Sequence, residues 1–553
     1  MKLRPIPVLA LVLLAFACGR PAAPPTPASA VPMFDGLGSH VRPVTTASPE
    51  SQRYFDQGLN FLFAFNHDEA IRSFTRATEL DPGNAMAWWG IATANGPHIN
   101  FPLVPEERAK AAWAASEKAR AAAAKVDQKP ADAALIGTLA ARYANPQPAD
   151  RKPLDEAYAA AMREVAARFP DDADVASLFA ESMMDLRPWD LWLKDGTAQP
   201  GTEEIVSTLE GVLAKAPEHP LANHLYIHAV EASPNPEKAT AAADRLRTLQ
   251  PGLGHMVHMP THIDVRTGNW EKAIASNAAA NDADVVYRDR AEKNQGFYRL
   301  YMAHNRHMRA FGAMMLGRSE EAIGQIRTMV AEMPEAWKKD YAGIADGFLG
   351  MPFEVLMRFG KWDEILAEPE PAETFPIARA LRLYARGVAY AAKGMTKEAR
   401  AEQTLFLAHR ATIPADAAFG NNTAADLLAV AEHLLEGEIT FREGDVEKGL
   451  AAMREAVKRE DALRYDEPPD WIQPVRHALG ASLLKAGRID EAEAVYRRDL
   501  EIHPRNGWSL YGLSRTLELK KHADAQVVRA QFDDVWKSAD LKLSSSCFCQ
   551  PGV

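Results

Sequence analysis

The chain has 553 residues, 47% of them hydrophobic and 25% charged, with a net charge of −11 and a pI near 5.9. That composition belongs to folded globular protein, and it excludes long disorder except at the two ends. Acidic and basic residues alternate without a basic stripe, so no electrostatic footprint for nucleic acid is present.

Residues 1–17 read as a secretion signal. Lys2 and Arg4 form its basic start, and Val8 to Ala17 form an apolar run too short to cross a bilayer. Cys18 follows Ala15-Phe16-Ala17, and this window resembles the lipobox of bacterial lipoproteins. The resemblance implies acylation of Cys18. With Gly19 next to it, it implies a lipid-anchored, extracytoplasmic protein on the periplasmic face of the outer membrane. The alternative is a plain signal peptide with Cys18 discarded. Residues 18–45 are Pro/Ala-rich at first and predict a tether.

From residue 46 to 540 helical periodicity dominates, and no run reads as a strand. Tyr54, Gly58, Phe61, Ala70, Phe74, Ala77 and Pro82 fall at the signature spacing of the tetratricopeptide repeat, and this segment resembles that family. Further copies phase on Ala239/Leu246/Pro251, on Ala273/Ala280, on Ala322/Pro334, on Gly387/Ala399 and on Gly480/Leu483/Ala492/Tyr496. The resemblance implies an all-α, right-handed solenoid of about ten to fourteen antiparallel helix pairs. Irregular spacers are expected near 97–105, 186–200 and 335–380. Pro188–Trp192 and Glu467–Trp471 read as aromatic loops that cap a groove between repeats, or bind a ligand there.

Sixteen histidines occur in the chain. His224 and His228 form one His-x-x-x-His pair, and His258 and His262 form a second, both offset by 34 residues. That offset is one repeat, so stacking brings the pairs together. In the resembled family, positions 2, 5, 9 and 12 of each first helix line the concave groove. The repeat from Pro220 then presents His224, His228 and Glu231. The next presents His255, His258 and His262, and the one from Ala303 presents His304 and His307. A preceding unit phased from Pro170 presents Glu181.

Imidazoles one turn apart on a helix can share an ion, and neighbouring repeats can close on the same site. His/Glu ligation predicts a divalent metal such as Zn, Cu or Fe. Met256, Met259 and Met308 fall on the opposite face and read as packing. So do Tyr226 and Tyr301. His67 and His98 read as isolated and structural, and His433 and His477 fall outside the phase. Pro260 either kinks its helix or starts it, and the latter would leave His255 and His258 in a loop.

Four segments (NHDEAIRSF…AMAWWGIA, NHLYIHAVEAS, GHMVHMPTHI and EPPDWIQPVRHALGASLL) resemble a group of bacterial secreted tetratricopeptide proteins with His-rich stretches. That resemblance implies a shared site at His224, His228, His255, His258 and His262, and no reaction. The expectation is therefore a metal-binding solenoid, acting in metal handling or as an enzyme with Glu181 or Glu231 as general base. The alternatives are a scaffold that holds a protein or peptide partner in the groove without metal, and pH-sensitive binding through the histidines. Membrane contact is expected through the N-terminal lipid only. Residues 541–553 read as a tail with two incidental thiols, Cys547 and Cys549; a soft-metal site and a disulfide are the alternatives.

Overall fold

A computed structural model describes residues 31–291, 296–550 and 552. Cys18 and residues 1–17 lie outside them. The described chain is all-α: helices follow one another from Pro49–Phe63 to Ala525–Val535, and consecutive helices pack as antiparallel pairs. Among the described residues no helix is long and apolar enough to cross a membrane.

The pairing rests on one recurring lock. In the first repeat a Cβ added at Gly58 or Gly90 would come within 2.7 Å of the Phe74 ring. Near the other end Gly480 and Gly512 approach Tyr496 in the same way, at 2.4 and 2.2 Å. One aromatic on the second helix of a repeat thus wedges between two first helices, and only glycine leaves room for it. This is the physical content of the small-residue and aromatic spacing read from the sequence. Apolar burial is spread along the array in two large clusters, as stacking requires.

Four expectations need correction. Residues 31–45 are packed rather than a loose tether. Tyr54 Oη donates to the Val31 carbonyl at 2.8 Å, and Gly252 N–H donates to the Gly36 carbonyl at 2.8 Å. Arg42 forks onto Asp132, Asp172 and Asp174. The 335–380 spacer is helical, with Glu335–Asp340, Ala342–Arg358 and Trp362–Ala367 in it. Its Gly343, Gly347, Gly350 and Pro352 imitate a loop in sequence, but buried neighbours override the propensity. A strand pair does exist: Ala418–Phe419 and Asn422–Thr423 form a two-residue-turn hairpin with Gly420 at φ +54°.

The C-terminal segment, finally, is no free tail. Cys547 and Cys549 are disulfide-bonded and buried, and the Ser546 carbonyl accepts from Arg358 at 2.7 Å.

The solenoid also closes on itself. Trp270 Nε1 donates to the Pro504 carbonyl at 2.9 Å, and Trp508 Nε1 donates to the Met314 carbonyl at 2.7 Å. Asp540 accepts from the Ser319 and Glu320 backbone N–H groups that open helix Ser319–Glu332. This closure shuts the histidine face inside the molecule.

Candidate metal centre

His224 and His228 lie on helix Pro220–Val230. His255 and His258 lie on Gly254–His258, and His262 lies on Pro260–Arg266. Met259 between the two short helices keeps helical angles, so Pro260 interrupts the hydrogen-bond ladder without turning the chain away. The three imidazoles therefore stay on one face, the kinked form of the two sequence alternatives. His304 and His307 come from Tyr298–Met315, which starts five residues before the expected Ala303.

Two groups of three form. Ligand atoms of His224, His228 and His255 lie within 4.8 Å of one another, as do those of His258, His262 and His304. Glu231 joins the groups, with Oε1 2.7 Å from His228 Nδ1 and Oε2 2.5 Å from His262 Nδ1.

The outer nitrogens decide what the inner ones can do. His224 Nδ1 lies 2.8 Å from the Phe63 carbonyl, an acceptor, so the proton sits on Nδ1 and Nε2 carries the lone pair. His228 and His262 give their Nδ1 protons to Glu231. Asn277 Nδ2 donates to the Ala273 carbonyl, so its Oδ1 faces His258 Nδ1 at 2.7 Å and takes that proton too. The Nε2 lone pairs of His258 and His262 then face each other at 2.9 Å. Two lone pairs hold that distance only with a cation between them, a proton or a metal ion. Metal–nitrogen bonds of about 2.0–2.1 Å at angles of about 90–110° put neighbouring ligand nitrogens about 2.8–3.4 Å apart.

The first group carries a complementary sign. His224 Nε2, His228 Nε2 and both nitrogens of His255 are buried without a hydrogen-bond partner. Orphaned buried polar atoms are costly and rare. Burial, reinforced by neighbouring imidazoles, holds His224, His255, His258 and His304 well below the ordinary imidazole range. Burial also lowers His228, against the pull of Glu231. These rings are neutral near pH 7, the form that binds metal. Burial opposes charge on Glu231 too, yet His262 and His228 together hold it down at about 2. Glu231 in turn overcomes the burial of His262 and raises it.

A chamber of about 260 Å³ opens onto this centre and is lined by His228, His255, His262, His304 and His307. It shares Asn100, Trp189 and the hairpin residues Ala418, Gly420 and Asn421 with an outer vestibule of about 610 Å³. Trp189 stands at the junction. Its ring centroid is 5.2 Å from that of His228, and its Nε1 donates to Asn100 Oδ1 at 3.1 Å. Asn100 in turn donates to Tyr301 Oη. Phe65 packs against His224, His228 and His255 from another side, at 4.4, 6.4 and 6.0 Å. Phe65 and Trp189 both hold positive φ, +56° and +59°, a strained state for aromatic residues. Such strain clusters at functional sites.

Two sequence candidates stand apart. Glu181 lies with Arg142 and Asp185 instead of the histidines, although its helix Ala173–Met184 starts where the phase read from Pro170 puts position 1; the buried Arg142 guanidinium is its charge partner. His307 lines the chamber, 5.8 Å from Phe348, outside both groups of three. Met256, Met259 and Met308 are fully buried in the packing clusters.

Several participants escaped the sequence reading. His67 and His98 are not isolated: their rings stack at 4.1 Å, and His98 lies 5.1 Å from Phe65. Tyr301 packs on His255 at 4.3 Å and lines the chamber. Of the aromatic loops, Trp192 and Trp471 cap, while Trp189 faces the centre. Asn277 and Tyr465 carry no local motif, Glu467 only opens the aromatic loop Glu467–Trp471, and only the closure brings the last two within reach; Tyr465 Oη donates to Glu467 at 3.0 Å. A further set, His40, Asp174 and His219, is closed to metal. His219 Nδ1 accepts from the Ala222 N–H and its Nε2 donates to Asp174.

No family model matches the chain, and no curated protein matches it. Solved structures do align along its length. The human IFIT1 dimer with m7Gppp-AAAA is 13% identical over 89% of this chain and 91% of that one, with a TM-score of 0.35. Yeast Tom70 is 10% identical over 88% and 90%, with a TM-score of 0.31. The P58(IPK) TPR domain is 12% identical over 85% and 98%, with a TM-score of 0.20. Superpositions this loose carry no argument about function. What this chain is rests on its own helix pairs: an all-α solenoid of tetratricopeptide-like repeats, with a histidine-lined chamber inside.

Proposed function

We propose that the chain is a metal-dependent enzyme whose buried centre holds two ions, one at His224/His228/His255 and one at His258/His262/His304. The reading rests on the facing Nε2 atoms of His258 and His262, 2.9 Å apart with their other protons committed. Three protein nitrogens per ion leave coordination positions open, the pattern of catalytic rather than structural sites. The chamber gives those positions a reachable volume, which a storage site does not need. Bound ions supply Lewis acidity and lower the pKa of bound water. Glu231 orients His228 and His262, and Glu467 stands nearby as the carboxyl free to hold a proton. All-nitrogen ligation suits Zn, Cu(II) or Fe. The scaffold alternative is less well supported at the histidines, because the chamber of about 260 Å³ that they line has no room for a peptide.

Elemental analysis of untagged protein tests this. The expected result is two ions per chain, with one lost in His224→Ala/His255→Ala and the other in His258→Ala/His262→Ala. Metal content unaffected by either pair overturns the reading. We further place the protein outside the cytoplasm, anchored through Cys18. The Cys547–Cys549 disulfide supports an oxidising compartment. Cys18→Ser should move the protein from the membrane fraction to the soluble one; unchanged fractionation would refute the anchor.

A further inference from the structure

The chamber's walls are unlike its floor. The floor is imidazole. The walls are ring faces from separate elements: Trp189, Phe297, Tyr301, Phe348 and Phe419. Aromatic surfaces supplied from several directions make slots that favour flat, apolar guests. The volume of about 260 Å³ exceeds the ~150 Å³ that accommodates benzene and falls below the usual ~300–1,000 Å³ of drug-sized sites. One aromatic ring with short substituents fits.

The carboxyl groups at one wall offer acceptors. Glu467 is buried at the chamber wall; its Oε1 accepts from Tyr465, and its Oε2 has no partner. Asp466 and Asp470 stand beside it but are already engaged, Asp466 by the Asn421 N–H and Asp470 by Asn422 Nδ2. A guest that brings a hydrogen-bond donor satisfies Glu467 Oε2. A guest that brings a carboxylate meets three acidic side chains. Entry is through the vestibule, past the Trp189–Asn100–Tyr301 hydrogen-bonded strap.

We propose that the chamber binds a small neutral phenol, its ring against the aromatic walls and its hydroxyl donating to Glu467, beside the histidine centre. This rests on the reading of the centre as a metal site for its catalytic meaning, but not for the binding itself.

The test measures dissociation constants by calorimetry for full-length protein, with and without prior chelation. The probes are phenol, toluene, cyclohexanol and benzoate. Phenol is expected to bind at least tenfold tighter than each of the others. Gly343→Leu fills the rim: it stands on helix Ala342–Arg358, where an added Cβ meets nothing within 4 Å. That variant should weaken phenol at least tenfold while keeping the wild-type metal content. Glu467→Leu should reduce the advantage of phenol over toluene to less than threefold. Three results each overturn the proposal: cyclohexanol or benzoate binding as tightly as phenol, phenol binding unaffected by Gly343→Leu, or no phenol binding at millimolar concentration. Metal content measured on the same samples reports separately on the histidine centre, so loss of one reading leaves the other standing.

Discussion

Two buried histidine networks in this molecule have opposite characters. Around His477 every nitrogen is used: Nε2 donates to Asp499 at 2.9 Å, and Nδ1 accepts from Arg358 at 2.8 Å. Asp499 takes two more donors, Asn506 and Ser509. Around His255 neither nitrogen has a partner, and the Nε2 atoms of His224 and His228 have none either. Both networks are equally sealed from water, so burial does not distinguish them. The difference lies in completion. Both nitrogens of His477 are satisfied by protein atoms, and only the Nε of Arg358 in that network has no partner, whereas the central network leaves four imidazole nitrogens open. Burying an imidazole thus marks a ligand site only where its hydrogen-bond account stays open.

The largest expected effect breaks the finished network. Asp499→Ala leaves His477, Asn506 and Ser509 buried without their shared acceptor and Arg358 without a nearby counter-charge, and should cost about 3–5 kcal/mol in denaturant unfolding. A loss under 1 kcal/mol would show that the network is not complete as described. Metal content should not change.

The open network should respond to ions instead. Chelated protein titrated with Zn²⁺ to a hundredfold excess over Kd should gain about 2.7 kcal/mol per site. A flat melting temperature across the titration refutes the contrast. Next comes a reversal of sign. His255→Leu removes two orphaned nitrogens, so chelated protein should become more stable by about 1–3 kcal/mol, while one ion is lost. Destabilisation of the chelated protein would mean that His255 has a partner after all.

A pH-dependent effect, small at pH 5 and growing toward pH 8, concerns a carboxyl of intermediate type. Glu354 is buried with Oε2 unpartnered, and burial, helped by Asp470, pushes it up to about 8. The folded state keeps this proton while the unfolded chain loses it near 4.5. Stability therefore falls as pH rises from about 4.5 to 8, by up to roughly 1.4 kcal/mol per pH unit. Glu354→Gln should melt like wild type at pH 5 and above it at pH 8. Parallel melting curves at both values would discard the assignment.

The repeat and the histidine face were readable because both obey local spacing. Gly58 with Phe74, and Gly480 with Tyr496, report a close approach that stacking makes compulsory. The 34-residue offset between His-x-x-x-His pairs reports the same stacking from the functional side. Glu181 was misplaced although its helix starts in the expected phase, because repeat position alone does not reveal the charge partner, Arg142, that another helix brings to it. Tyr465 was not legible as a site residue, and Trp189 and Glu467 only as members of loops that cap a groove or bind a ligand. Their role comes from loops and from closure across more than 200 residues of chain, as in the Trp270–Pro504 bond, and no local period encodes that. Phe65 gave a faint signal: a bulky residue in the left-handed helix-end position where glycine is usual.

Because Trp508 and Asp540 dock onto the helices around Met314 and Ser319, the middle and last parts of the chain meet. A linear repeat array can be shortened from its end with only proportionate loss. This one cannot, since segments 418–421 and 466–470 serve as the far wall of a room whose furnishings come from the middle. During synthesis the histidines emerge long before that wall exists, so the ligands stay open to solvent until it has been made. Ion capture belongs to the chain that has its wall, and a protein cut after Arg410 should fold in part yet hold no tightly bound ion.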